Sequence, residues 1–461
     1  MVQPRLALRI IREVPASQLL HQDVVLRRIK VLRVQVPHSC PHVGPRDTQQ
    51  SATWAEAFIT RAEVELGANA IRDSAEMWDW VLTTTFSGAG FAEIAARSLQ
   101  VATRRFISHR FGLSGMWPRI VTARACDIAP HARKVLTKII GQNTSIFGDV
   151  MTWATNLADV DLHQPVAPKI NFNGMARCHT HGRCALFTMR GSGAHTMHIE
   201  IAGPPCPPWS RMGRRRRHMD MRFAPHQVWI RWALEIQPHC IIFENVEAYD
   251  LQVLVANFDA QTWSLQACVL DPRVFGMPLA RPRLYCVITL RRSTVWNTTL
   301  PLHVLLEKFT AVRVMSADMF FQDPDPLALR MPTAGEMERM HQYEDLPAGH
   351  RMHRSPVWDL SQGGQRPRGS LVDGALPTFT TSSGSFWHRI RREFLSPNML
   401  MRAMGHVSDR HCAHAADLDV VDLRAAGASA ARGVSLAGNG MHVQCVGACL
   451  LVVVLHVRVV L

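Results

Sequence analysis

The sequence predicts an α/β fold: a mostly parallel sheet with helices on both faces, interrupted late in the chain by a small inserted module. Three observations predict it. From about Trp80 to Leu290 short apolar runs alternate with helix-like segments. Several of those runs end directly in glycine, proline or an acid. Regular patterning then stops beyond Arg292 and resumes near Leu376. Short apolar runs bounded by turn residues and separated by helical stretches are what parallel strands with helical crossovers look like in sequence.

The elements follow in order. "WVLTTTF" is a strand running into the helix "SGAGFAEIAARSL", and "IVTARACDI" a strand running into the helix "APHARKVLTKII". "HIEIAG" leads into the loop "GPPCPPWSRMG", "CIIFENV" follows a helical stretch, and "RLYCVITL" closes the series. Residues 291–376 mix Pro, Gly, His and Met irregularly, with "SQGGQRPRGS" as a loop, and read as a separate module. "LPTFTTSSGS", "FLSPNMLMRAMG" and "SLAGNGMHVQCVGACLL" then restore order, the last as a Gly-Asn-Gly turn and an apolar helix. The resulting organisation is a basic N-terminal extension over 1–78, of the targeting or poorly ordered kind, a catalytic first part over 79–290, a module over 291–376 and a returning segment over 377–461.

Composition bounds the function. A chain of 461 residues that is 47% hydrophobic can fill a real core, which excludes general disorder. Lys and Arg number 51 against 37 Asp and Glu, a net charge of +14 that suits a polyanionic partner such as nucleic acid. The module holds ten basic and ten acidic residues, so the excess lies elsewhere. Eleven cysteines without a C-x-x-C pair read as reduced thiols. "CHTHGRC", with Cys178, His179, His181 and Cys184, fits no common zinc-finger spacing and reads as a polar surface loop, so no metal is expected. The Arg- and Leu-rich N-terminus has the composition of an organelle transit peptide, but Glu13 and Asp23 argue against one. The C-terminal "CVGACLLVVVLHVRVVL" carries His456 and Arg458 and reads as a buried helix or strand that closes the domain, not as a membrane anchor.

The candidate chemistry sits at the strand ends. Phe86, Gly88 and Gly90 form a turn that lets the backbone approach a ligand at a helix N-terminus. Asp127, followed by Ile128, ends the next strand where a carboxylate can accept both hydroxyls of a ribose, and Asp149 ends another within reach of an adenine amine. A helix cap is the ordinary alternative for each acid. Four prolines around Cys206 make a poor strand and a rigid loop, so its thiol is held in place. Glu244, just past a buried strand, can keep its proton at neutral pH as a general acid must.

Together and in this order, these motifs resemble the DNA (cytosine-5) methyltransferases, over residues 82–290 and 376–454. "TFSGAG" is similar to that family's first S-adenosylmethionine loop, "CDIAPHA" to its ribose-binding segment, "GDV" to its adenine-binding segment and "GPPCPPWSRMG" to its catalytic loop. "FENV", "FGMPLARPRLY" and "LAGNGMHVQCVGA" are similar to its acid, arginine and closing motifs. The resemblance implies a Rossmann-like S-adenosylmethionine-dependent methyltransferase sheet with an inserted small target-recognition module. It implies S-adenosyl-L-methionine as cofactor, held by Phe86, Gly88, Gly90, Asp127, Ile128, Asp149, Pro205 and Asn439. It implies a DNA partner whose flipped cytosine receives Cys206 at C6, with Glu244 protonating N3 and Arg281 and Arg283 stabilising the base oxygen and the loop. Pro204 and Pro205 set the approach of the thiol. Ser210, Arg211, Arg214, Arg215, Arg216 and Arg217 follow the catalytic loop and would meet phosphates.

Some positions depart from the family pattern. Phe91 replaces a glycine, Asp127 a glutamate, Pro207 and Leu279 a glutamine each, and Met399 a glutamate. Leu279 then costs a polar group beside the arginines, and Met399 alters the packing of the recognition module. The long spacing to Asp127 implies a surface insertion around "FISHRFGLSGMWPRI". A transfer-RNA cytosine methyltransferase shares the motif set, and a catalytically weak nucleic-acid-binding protein could keep the fold. A nuclear location follows from a DNA substrate, while the Arg-rich N-terminus leaves an organelle open.

Overall fold

The structure is a computed structural model that describes residues 31–76, 79–113, 119–187, 196–210, 216–321, 329–381, 384–424 and 426–460. Residues Leu32–Leu461 form one compact unit. Its spine is a ten-stranded sheet in the order β1-β9-β10-β8-β7-β2-β3-β4-β5-β6. These strands are β1 (Leu32–Arg33), β2 (Asp79–Thr85), β3 (Arg119–Cys126), β4 (Ser145–Phe147), β5 (Met175–Cys178), β6 (Gly182–Ala185), β7 (Thr196–Ala202), β8 (Cys240–Val246), β9 (Trp263–Leu270) and β10 (Arg283–Leu290). The central five, β8-β7-β2-β3-β4, run parallel, and β10 lies antiparallel between β8 and β9.

The central strands are buried almost end to end, as strands covered on both faces must be. The chain leaves β2 outward through β3 and β4, then returns to β7 on the other side of β2. The strand order therefore reverses between β2 and β7, and the crevice at their carboxyl ends is where such sheets take ligands. In the core beneath, Arg124 pairs with Glu200 at 3.2 Å and stacks on Trp232 at 3.6 Å, so a buried charge is both neutralised and covered.

Helices α1 (Thr48–Ala52), α2 (Trp54–Leu66) and α3 (Ala68–Glu76) correct the expected extension over 1–78. Residues 1–30 lie outside the described residues, but Trp54, Phe58 and Ile59 of α2 belong to the main core. Trp54 fits a notch made by glycine: a Cβ on Gly447 would lie 2.1 Å from its ring. Of the expected insertion, residues up to Phe111 extend α4 (Phe91–Phe111), whose Ile107 is buried, and residues 119–120 begin β3, while 114–118 lie outside the described residues. The crossover α5 (Pro130–Ile140) follows β3, and α6 (Ala224–Ile236) and α7 (Gln252–Asn257) flank β8.

The module boundary also moves. Strand β11 (Thr294–Trp296) pairs with the C-terminal strand, and α8 (Leu302–Glu307) packs into the main core, so the start of the 291–376 segment belongs to the body. A second small core, Tyr343, Met352, Trp358, Leu360 and Phe394, is built from α9 (Ala334–Glu344) and the sheet β12 (Val357–Asp359), β13 (Phe386–His388) and β14 (Glu393–Phe394). It therefore runs past residue 376 into the expected returning segment. Beyond it come α10 (Pro397–Ala403), α11 (Arg410–Ala416), α12 (Ala430–Asn439), α13 (Val443–His456) and β15 (Val457–Val459). The stretch Ala430–His456 is long and apolar enough by composition to cross a membrane, yet 89% of its most apolar window is buried in the fold.

Candidate active site

At the carboxyl end of β2, Phe86, Gly88 and Gly90 all take positive φ, at 61°, 58° and 79°. A Cβ on Gly90 would lie 2.5 Å from the Ile139 side chain, so only glycine lets α4 approach α5 there. At Gly88 a Cβ would meet nothing within 4 Å, which leaves an open cradle over the loop. Asp127 ties this cradle to the next strand: its two carboxylate oxygens accept from the Gly88 and Ala129 amides, each at 2.8 Å. Burial raises its pKa, against the pull of those two amides. Asp149 accepts from the Met151 amide at 2.9 Å, as an N-cap does. Asp149 is thus a cap and Asp127 a tie between two loop amides, and each retains lone pairs for a ligand. Ile128 stands 66% exposed beside them.

The Phe91 departure at this end is accommodated by its neighbours. Phe91 is buried and meets the His406 ring edge-on at 5.3 Å, while His406 Nε2 donates to the Ala89 carbonyl at 3.1 Å. The Phe91 ring fills the space where Gly440 would carry a Cβ, 2.2 Å away. The glycine missing from the loop therefore has its counterpart at the break between α12 and α13.

The other half of the site follows β7 and β8. Asn245 Nδ2 donates to the Pro204 carbonyl at 3.2 Å, and the amides of Trp209 and Ser210 both donate to the Cys206 carbonyl at 3.0 Å. Trp209 is buried against Tyr249, ring centres 5.1 Å apart. The prolines, Asn245 and Trp209 thus fix the loop on both sides of Cys206. Glu244 is 7% exposed and pairs with Arg283 at 3.3 Å, its Oε1 on the guanidinium Nε. Burial raises the Glu244 carboxyl, with Arg283 and Arg281 pulling the other way. Burial likewise raises the Cys206 thiol, opposed first by Arg283. Both groups therefore favour their protonated forms.

Cys206 opens into a cleft of about 690 Å³ whose walls include Arg283, Arg222, Arg366, Arg368 and Asn439. Ser210 and Pro207 line it too, while Pro205 is half-buried in the loop behind. Arg281 is brought to a different place. It is 3% exposed and donates to the carbonyls of Phe379 (3.1 Å), Gly438 (2.9 Å) and Gly440 (2.7 Å). It is a positioning residue that pins the returning segment to the cleft wall, and of the two arginines expected at a base only Arg283 lines the cleft. Leu279 is fully buried in the main core and Met399 packs there as well, so neither departure reaches the cleft or the small module. Arg216 and Arg217 are exposed, and Arg211, Arg214 and Arg215 lie outside the described residues.

Sequence reasoning missed three cleft arginines. Arg222, which pairs with Asp220 at 2.6 Å, ends the run "GRRRRHMDMR" that follows the catalytic loop, and Arg366 and Arg368 sit in the quoted loop "SQGGQRPRGS". The signal was charge next to a glycine-rich loop. It also missed Glu93, fully buried under the glycine loop, hydrogen-bonded by the Thr84 hydroxyl and pushed by burial up to about 7.

A rigid thiol and an arginine paired with a buried acid line one cleft at the switch point of a parallel sheet whose neighbouring strand ends in an open glycine cradle, and these features suit a group-transfer site of the Rossmann-like class. The chain resembles the DNA (cytosine-5) methyltransferases: residues 193–320, which contain Cys206, Glu244, Arg281 and Arg283, match the family of C-5 cytosine-specific DNA methylases. The type II methyltransferase M.HgiDI of Herpetosiphon aurantiacus is 27% identical over 206 residues, 40% of this chain and 63% of that protein. The chain thus spans a little under two thirds of the length of that relative. Among solved structures, the Entamoeba histolytica methyltransferase EhMeth gives a TM-score of 0.47 and the S. pombe Dnmt2 methyltransferase 0.48, each at 12% identity. These matches cover 82% and 81% of this chain and 98% of each of those.

Proposed function

We propose that the protein is a DNA (cytosine-5-)-methyltransferase that works through a covalent adduct of Cys206. The observation that carries this reading is the rigid Cys206 loop opening into a cleft lined by Arg283, whose guanidinium pairs with the buried Glu244. Phe86, Gly88, Gly90, Asp127, Ile128 and Asp149 suit S-adenosyl-L-methionine, because the Gly88 cradle is open and the two acids keep acceptor capacity. When bound, that cofactor supplies an electrophilic methyl group.

The chain's own residues supply the rest. Cytosine C5 is too poor a nucleophile to accept a methyl directly. The Cys206 sulfur bonds to C6 of the flipped base, its thiol proton leaving to solvent, and the ring's electrons move toward C5. Glu244, whose proton affinity burial raises, donates to N3 as charge builds there. Arg283 faces the base oxygen, and Arg281 holds the wall that carries Asn439. After C5 is methylated, loss of its proton to solvent expels the Cys206 thiolate, and the N3 proton returns to the Glu244 carboxylate. Arg222, Arg366 and Arg368 at the cleft, with Arg216 and Arg217 outside it, face a phosphate backbone. A nuclear location goes with this substrate.

The test is transfer of labelled methyl groups from S-adenosylmethionine to duplex DNA and, in parallel, to transfer RNA, by wild-type protein and Cys206→Ser. Label in DNA that vanishes in the variant is the expected result. A 5-fluorocytosine duplex should in addition trap the wild-type chain as a covalent adduct, since fluorine at C5 blocks the final elimination. Label confined to transfer RNA makes the protein an RNA enzyme, and label in neither makes it a binding protein on this fold.

A further inference from the structure

The hairpin β5–β6 brings together three groups that the sequence alone left as a polar loop. Ala176 is paired with Cys184 across the hairpin and Cys178 with Gly182, so Cys178 and Cys184 project from the same face of the ribbon. The turn between them carries His181, and Gly182 takes φ +82° to close it. His181 Nδ1 lies 3.7 Å from Cys178 Sγ and 3.4 Å from Cys184 Sγ, and the three ligand atoms lie within 4.8 Å of one another. His179 turns the other way, toward Gly148 and Arg133.

These distances suit a shared cation. With Zn–S bonds of ~2.3 Å and a Zn–N bond of ~2.05 Å at tetrahedral angles, sulfur and nitrogen ligands stand ~3.5 Å apart. The observed separations bracket that value. The imidazole is also set up for it. His181 Nε2 lies 2.8 Å from the Gln142 carbonyl, which can only accept, so the ring proton is on Nε2 and the Nδ1 lone pair faces the two sulfurs. A ring nitrogen fixed by a backbone carbonyl, with its other nitrogen presented to thiolates, is how metal-binding histidines are oriented.

We propose that Cys178, His181 and Cys184 form a zinc site. Two thiolates and one imidazole select a borderline-soft cation of the zinc class over calcium or magnesium, and the two thiol protons leave to solvent on binding. Three protein ligands leave one tetrahedral position for a water or an added ligand. The site joins the hairpin to the turn after α5 through Gln142, and the His179 amide donates to the Ile146 carbonyl of β4 at 2.8 Å, two strands from the glycine cradle and next to the loop that carries Asp149. Zinc there would hold the edge of the sheet against the strand that presents Asp149.

The test uses the full chain, purified under reducing conditions without chelator. Metal analysis should find about one zinc per wild-type chain and per Cys40→Ser control chain, and a loss of that zinc in Cys184→Ser and in His181→Gln. A second measurement on the wild type alone guards against a misfolded variant. Zinc should protect Cys178 and Cys184 together from alkylation, read by peptide mass, and a chelator should expose both. Replacing zinc with Co²⁺ should give thiolate-to-cobalt charge-transfer absorption. Wild-type protein free of zinc that takes up no Co²⁺, alkylation unchanged by chelator, or a Cys178–Cys184 disulfide in freshly purified reduced protein would each overturn the proposal. None of these readouts depends on methyl transfer, so this proposal and the assigned activity fail separately.

Discussion

The two halves of the site are built on opposite principles. At the ends of β2, β3 and β4, the acids are already satisfied: Asp127 holds two loop amides and Asp149 caps its own turn. At the ends of β7, β8 and β10, Cys206 stands in the cleft wall and Glu244 is buried against Arg283, and burial favours the protons of both. The first half is a preformed frame whose hydrogen bonds exist before any ligand arrives. The second stores its chemistry as displaced proton affinities, which a substrate can draw on. Binding should therefore respond to changes in the first half and rate to changes in the second.

The sharpest way to break that division is Cys206→Ala. Methyl transfer should fall by more than ~10⁴-fold, because a covalent route loses its nucleophile outright. S-adenosylmethionine affinity, measured by calorimetry, should stay within about twofold. A variant that kept a tenth of the rate would mean that the cleft thiol is not the nucleophile. Next comes Glu244→Gln, with an expected loss of ~10²- to 10⁴-fold in kcat. The pH profile adds a sign. Glu244 acts protonated and its pKa lies above the ordinary carboxyl range, so wild-type kcat should fall as pH rises through that raised value, and the variant should lack this limb.

Glu93 tests the frame by stability instead of rate. Its folded-state pKa of about 7 lies above that of an exposed glutamate, so its contribution to stability is complete below the unfolded value and is lost as pH rises through 7. Wild-type unfolding free energy should drop by roughly 3 kcal/mol between pH 4.5 and 8 relative to Glu93→Gln, measured by denaturant titration. Equal slopes for the two proteins would show that Glu93 is charged and partnered in the fold.

What the sequence disclosed follows the same division of local from distant causes. β2, β3, β7, β8 and β10 match the apolar runs read from the chain to within two residues at either end, and β3 and β7 are closed by the acid Asp127 and by Gly203. The role of α2 was not legible. Trp54 and Phe58 find their partners, Gly447 and Phe309, some 250 to 390 positions away, and no local pattern distinguishes such a helix from a detached one. Arg281 failed for a similar reason. Its neighbour Arg283 has the same charge and motif, and only the path of residues 379 and 438–440 decides which of the two faces the cleft. The module's boundary was obscured because its first thirty residues pack as body while carrying a loop-like composition.

The smallest effect is expected at Asp127, and it separates the two readings that the sequence left open. If its carboxylate only ties the two loop amides, Asp127→Asn removes one of two acceptors and turns an amide N–H toward the Gly88 or Ala129 N–H. The cost is then one unsatisfied buried donor, about 1–2 kcal/mol of stability, with cofactor affinity at saturating folding conditions unchanged. If the remaining lone pairs also receive ribose hydroxyls, the same substitution should weaken S-adenosylmethionine binding by roughly tenfold, about 1.4 kcal/mol, and leave kcat at saturating cofactor nearly as it was. Calorimetry and a melting curve on one variant decide between them. A lower Tm with unchanged affinity makes the frame purely structural, whereas weakened binding makes Asp127 the point where the preformed half of the site meets its ligand. A fall in kcat at saturation would break the division itself, since a residue two strands from Cys206 would then act on the chemical step.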